Sequence, residues 1–152
     1  MRVVIAPPPN YALLCSAFNI ANRRDIIYCY GDAIWNPHNV PVTPALMAHE
    51  TVHSERQGDR PDRWWQEYIE DRHFRFLEEM LAHQAEYRVL AESATSRNHR
   101  RIMQRDVARK LAAPLYGGLV HEKQAFKMVT ARNLLEMPRY KEDAPMRFED
   151  AA

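Results

Sequence analysis

The chain has 152 residues, 46% of them apolar and 27% charged, with a formal net charge of +1. That length and apolar content suit a single domain with a real core, and the near-neutral charge demands neither nucleic acid nor an anionic membrane as partner. No apolar run approaches membrane-spanning length, and the two cysteines, Cys15 and Cys29, make neither a disulfide framework nor a C-x-x-C metal site.

Residues 1–42 carry the strand signals. Arg2 to Ala6 is a short β-branched run. Val3 to Ala6 is too short for a signal-peptide core and meets Pro7-Pro8-Pro9 at once, so a protein without a cleaved leader is expected. It would be cytoplasmic as synthesised, with virion association or release on lysis left open. Tyr11 to Ala21 reads as helix or irregular chain. Asp25 to Tyr30 and Ala33 to Trp35 read as two more strands, and Gly31-Asp32 between them suits a tight hairpin.

Thr43-Pro44 opens a helix, since Thr43 can cap and Pro44 fits the first helical position. Gly58 is a natural stop, which predicts a helix over 44–57. Asp59 or Asp62 can cap the next segment and Pro61 can lead it. From Arg63 to about Ser93 there is neither Gly nor Pro, so one long helix is expected, bent or broken somewhere along its length. Arg97 to Lys110 reads as a basic helix, and the absence of interleaved aromatics favours a solvated face over base stacking. Pro114 and Gly117-Gly118 break the chain, a further helix is predicted over 121–135, and 138–152 reads as an extended or disordered tail.

The fold class expected is α+β: a small antiparallel sheet near the N-terminus, packed on the 44–57 helix and the long second helix, with C-terminal helices. Residues 1–96 would form the core, 97–137 a helical extension of the same domain, and 138–152 the tail.

The chemistry is concentrated in His49-Glu50-Thr51-Val52-His53. On a helix, positions i and i+4 share one face, so His49 and His53 can bind one metal ion while Glu50 reaches a water beside it. With zinc, the implied reaction is hydrolysis by an activated water. A catalytic zinc usually has three protein ligands. The returning helix offers Glu78, Glu79, His83 and Glu86, and periodicity alone does not choose among them. Asp32, Glu78 and Glu86 could orient the imidazoles, and His83, Tyr87 and Arg75 could stabilise an oxyanion.

The chain resembles the gluzincin class of HExxH zinc metallopeptidases, whose third ligand is a Glu on the helix after the motif helix, in a Glu-x-x-Ala or Glu-x-x-Asp pattern. Glu79-Met80-Leu81-Ala82 matches that pattern. The resemblance therefore implies zinc held by His49, His53 and Glu79, with Glu50 as general base. His83 stands where the family often has Tyr, which implies a catalytic role for its imidazole. A further likeness to small, often phage-encoded HExxH proteins covers roughly residues 26–90. It is carried by Tyr30-Gly31-Asp32, Asn36-Pro37-His38, the stretch from His49 to Gly58, Trp64-Trp65 and Phe74-Arg75. It implies a minimal zincin-like fold, an edge strand that pairs with a peptide substrate, and a place in a phage or cell-wall assembly. Neither a membrane nor nucleic acid is expected as partner.

Overall fold

The computed structural model describes residues 1–132. In chain order they form β1 (Arg2–Val4), α1 (Tyr11–Phe18), β2 (Tyr28–Tyr30), β3 (Ala33–Trp35), α2 (Pro44–Gln57), α3 (Pro61–Glu70), α4 (Arg72–Glu92), α5 (Arg97–Leu111), a 3-10 turn (Pro114–Tyr116) and α6 (Glu122–Met128). The expected α+β class is what the chain adopts.

The three strands make one sheet in the order β1-β3-β2. β2 and β3 pair antiparallel, Tyr28 opposite Trp35, around the Gly31-Asp32 turn. Gly31 sits at φ +62°, where a glycine meets no Cβ penalty. β1 runs parallel to β3, with Arg2 opposite Ala33. The sheet is thus mixed, a correction to the antiparallel expectation. The physical reason is the connection: β1 reaches β3 through α1 and β2 rather than a tight turn, and only a long connection lets the chain re-enter in the same direction.

Helix α2 begins and ends as its sequence dictates. The Thr43 side chain accepts the Leu46 N–H, Pro44 takes the first turn, and Gly58 ends the helix at positive φ. Ala45, His49, His53 and Gln57 form a buried i, i+4 stripe. Gln57 ends that stripe as a clamp: its amide nitrogen donates to the Cys29 carbonyl at 2.9 Å and its oxygen accepts the Gly31 N–H at 2.8 Å. Trp65 donates to the same Cys29 carbonyl at 3.1 Å.

The long helix expected over 63–93 is two helices. Asp71 breaks it, with extended backbone at φ −111°, ψ 107°, and its side chain accepts the N–H groups of His73 and Phe74. A short acceptor side chain at this position offers the backbone a cap in place of continued helix. Neither Asp59 nor Asp62 caps α3; Arg60 holds the cap position without a side-chain bond, and Pro61 leads the helix as expected.

Helix α4 has two faces. Phe76, Met80 and Tyr87 pack with Val107, Leu111 and Met128 in one core, while Glu79, His83 and Glu86 point the other way, toward α2. A second core joins Leu14, Ile20, Tyr28, Trp64, Trp65 and Tyr68 under the sheet. The two tryptophans therefore anchor packing. The predicted 11–21 and 121–135 helices are shorter, as Tyr11–Phe18 and Glu122–Met128. The part of the latter beyond Arg132, and the 138–152 tail, lie outside the described residues.

Replacing Asp71 by Ala should lower unfolding free energy by about 1 kcal/mol in denaturant titrations. Two backbone hydrogen bonds hold the Asp71 carboxyl below its ordinary range. The wild-type advantage should be complete above the unfolded carboxylate pKa and shrink as pH falls through the depressed one.

Candidate metal centre

Helices α2 and α4 run antiparallel: Arg56 faces Glu78, His53 faces Glu79, and His49 reaches Glu86. This pairing puts three ligand-type side chains together. His49 Nε2 and His53 Nε2 are 3.2 Å apart. Glu79 Oε2 lies 3.5 Å from His49 Nε2, and Glu79 Oε1 lies 3.3 Å from His53 Nε2. All three residues are buried, and they could hold a metal ion. His49, His83 and Glu86 make a second, overlapping group of possible ligands.

Glu78, the competing third ligand in the sequence, is elsewhere. It is fully buried, paired with both Nε and Nη2 of Arg56 at 2.5 Å, and accepts the Trp64 indole N–H at 3.1 Å. One residue along a helix is a rotation of about 100°, enough to turn Glu78 away from the histidines.

Glu86 organises the far side of the cluster. Its Oε2 accepts the His83 Nδ1 proton at 2.8 Å and stands 3.4 Å from His49 Nδ1. Its Oε1 accepts from Lys110 of α5 at 2.5 Å. Of the three residues expected to orient the imidazoles, Glu86 is the one in place. Asp32 is exposed beside Arg2, and Glu78 is committed to Arg56. Lys110 was invisible in the sequence as a site residue, because nothing in a basic helix marks which of its exposed cations reaches a buried carboxylate.

Two tyrosines also reach the cluster. Tyr68 donates to Glu79 Oε1 at 2.6 Å. Tyr116, in the 3-10 turn, places its ring 5.7 Å from that of His83, and burial together with Glu79 raises its phenol well above the ordinary range. Of the oxyanion donors expected from sequence, Tyr87 lies in the α4–α5–α6 core. Arg75 is turned to the α3 carbonyls of Tyr68 and Ile69, at 2.8 and 3.2 Å. His83 is buried against His49, with ring centroids 4.6 Å apart. His38, His73 and His121 are exposed.

The electrostatics follow from three carboxylates and three imidazoles in one dry space. Burial pushes the Glu50 carboxyl above its ordinary range; His49 and His53 pull against that shift, and Glu79 and Glu86 add to it. Burial opposes ionisation of Glu79 too, but the adjoining His53 and His49 hold its carboxyl well below the ordinary range. Burial, then the neighbouring His49 charge, depresses His83 and keeps it neutral. Burial also opposes charge on His49, yet hydrogen bonds to Glu79 and Glu86 and the Glu50 charge raise it to about 10. Four buried atoms of the cluster still lack a hydrogen-bond partner: His49 Nδ1, His53 Nδ1, Glu79 Oε2 and His83 Nε2. Buried polar atoms are seldom left so, and a cation between the Nε2 atoms and Glu79 would satisfy the carboxylate directly. One cavity of about 90 Å³ opens onto His49, Glu50, His53, Glu79, Tyr68 and Tyr116.

Compared with protein-family models, curated proteins and solved structures, this chain matches none.

Stoichiometric metal is expected in the purified protein by elemental analysis. It should be lost in His49→Ala, His53→Ala and Glu79→Ala, and retained in Glu78→Gln. Because a metal binds the neutral imidazole, while Glu79 and Glu86 raise the proton affinity of His49, metal uptake should release protons and weaken as pH falls; calorimetry in buffers of different ionisation enthalpy would read this. Lys110→Met, which leaves Glu86 Oε1 without its cation, should weaken metal binding by about 10- to 100-fold, with Lys110→Arg restoring most of it.

Proposed function

We propose that this protein is a zinc-dependent metallopeptidase that hydrolyses peptide bonds, with His49, His53 and Glu79 as zinc ligands and Glu50 as general base. The observation that carries the reading is that the two imidazole Nε2 atoms, 3.2 Å apart, each lie against an oxygen of one carboxylate, His53 Nε2 3.3 Å from Glu79 Oε1 and His49 Nε2 3.5 Å from Glu79 Oε2. Ligands at about 2.0–2.1 Å from a tetrahedral zinc lie about 3.3 Å from one another. Two imidazoles and one carboxylate leave the fourth position open, which is the donor set of a catalytic rather than a structural zinc. The likeness of His49–His53 and Glu79–Ala82 to the gluzincin motifs supports the same assignment.

When bound, zinc would act as a Lewis acid that polarises the scissile carbonyl and makes water a nucleophile near neutral pH. The chain's own groups do the rest. Glu50 takes the proton of the attacking water and returns it to the departing amine. Its burial in the cavity, which raises its proton affinity, suits a base that must give the proton back. Glu86 Oε2 stands 3.4 Å from His49 Nδ1, on the side of the ring away from Nε2, where a small closing of the gap would let it orient the imidazole.

The donor to the developing oxyanion is better assigned to Tyr116 than to His83. His83 gives its one Nδ1 proton to Glu86, and a neutral imidazole then has only a lone pair on Nε2. Tyr116 lines the cavity and keeps its phenolic proton.

Glu50→Gln should retain bound metal and lower peptide hydrolysis by at least about 100-fold. Chelation should abolish activity and zinc should restore it. A protein that binds zinc tightly and cleaves no member of a broad peptide library would instead be a structural metal protein. The position of the Glu50 carboxyl on the cavity lining beside the ligands argues against that outcome, since a purely structural site has no use for a base there.

A further inference from the structure

Charge on this molecule is unevenly spread. Between Glu92 and Glu122 the chain has one acidic residue, Asp106, against Arg97, Arg100, Arg101, Arg105, Arg109 and Lys110. A net charge of +1 averages that concentration away. Helix α5 carries all six cations. Ser96 caps it, and Val107, Ala108 and Leu111 bury its inner side against α4 and α6. Gln104 adds a 2.7 Å bond to the Phe126 carbonyl. The helix is thus a fixed support. Arg97, Arg101 and Arg105 are exposed on it, one turn apart in an i, i+4, i+8 row.

The carboxylates that reach α5 are already committed. Asp106 and Glu122 pair with Arg109, and Glu86 pairs with Lys110. Arg97, Arg100, Arg101 and Arg105, and Arg88 of α4, make no ion pair among the described residues. Arg88 and Arg100 also line a groove of about 650 Å³ between α4, α5 and the stretch after α6. Arg132 joins them there, and Glu92 is the one carboxylate among the described residues of its lining. A row of cations leading into a concave surface of the same sign focuses its field and gathers a polyanion. Arginine suits phosphate in particular, since the fork of the guanidinium matches two phosphate oxygens at once.

The rest of the face narrows the ligand. Helix α5 has no Phe, Tyr or Trp, and Tyr87 of the groove is buried. Unpaired bases therefore find no ring to stack on, and contact is left to the backbone of a duplex. A helix exposed along one side fits against the wide major groove of B-form DNA, whereas that of an RNA duplex is deep and narrow. We propose that the face made by Arg88, Arg97, Arg100, Arg101 and Arg105 binds the phosphodiester backbone of double-stranded DNA without reading its sequence. None of these arginines lines the cavity that holds Glu50, so the inference stands whether or not the metal centre hydrolyses peptides.

The test is fluorescence anisotropy of a labelled, mixed-sequence DNA duplex titrated with the full-length protein. With about four phosphates engaged, affinity should fall between roughly 50 and 200 mM salt with a log–log slope of about −3.6. Arg97→Gln, Arg101→Gln and Arg105→Gln should each take about 0.9 off that slope, a graded loss that misfolding would not produce. The three together should weaken binding at the lower salt by at least about 10-fold. Arg60→Gln with Arg63→Gln, on α3, should change neither quantity, and nor should Glu50→Gln. Duplex RNA and a polyglutamate peptide, matched to the DNA in charge, should bind more weakly. No binding at the lower salt, an unchanged slope in the triple variant, or an equal loss in the α3 variant would overturn the face. RNA or polyglutamate bound as tightly as DNA would overturn the choice of ligand.

Discussion

The structure is organised around a concentration of buried charge. Glu50, Glu79 and Glu86 and the imidazoles of His49, His53 and His83 occupy the interface of α2 and α4, where ionised groups are costly unless paired. The surroundings answer that cost group by group. Lys110 neutralises Glu86, Tyr68 donates to Glu79, and Arg56 removes Glu78 from the count altogether. What remains unbalanced lies between His49, His53 and Glu79, and an imidazolium or a metal ion can balance it. Two packed apolar cores on either side hold the interface closed, so the polar cluster is carried by burial that it does not itself supply.

How much of this could be read from the sequence depends on how local each determinant is. Helix α2 was legible because its cap, its leading proline and its terminal glycine lie within sixteen residues that also contain the motif. The stripe Glu79, His83, Glu86 was legible as a periodicity. The choice between Glu78 and Glu79 was not, because it depends on how α4 is rotated against α2. That rotation is fixed by the Asp71 break, by the Arg56–Glu78 pair and by the two cores together. Lys110 and Tyr116 were missed for a related reason. Each arrives from a segment far along the chain, and neither a basic helix nor a Pro–Gly turn announces what it will face. The direction of β1 was misread because a short β-branched run carries no signal of parallel against antiparallel pairing.

Asp71 shows a local rule deciding a distant outcome. The residues from Arg63 to Ser93 all favour or tolerate helix, and propensity summed over them predicts one rod. One short carboxylate that accepts two backbone N–H groups ends α3 and starts α4 in a new direction. That change of direction lets α3 lay Trp64, Trp65 and Tyr68 under the sheet while α4 returns along α2. The site therefore depends on a residue that touches none of its ligands.

The clamp on the Cys29 carbonyl carries a consequence for how this chain can meet other chains. An edge strand recruits a neighbour by offering unpaired main-chain groups, and the resemblance to zincins implied that a peptide would be held in that way. Here the carbonyl at the centre of β2 is already taken by N–H groups from two different helices, Gln57 of α2 and Trp65 of α3. At Cys29 that edge is occupied from the inside. It resists growth by one more strand, a safeguard against association through β2. A strand laid along β2 would find the Cys29 carbonyl already occupied by two N–H donors.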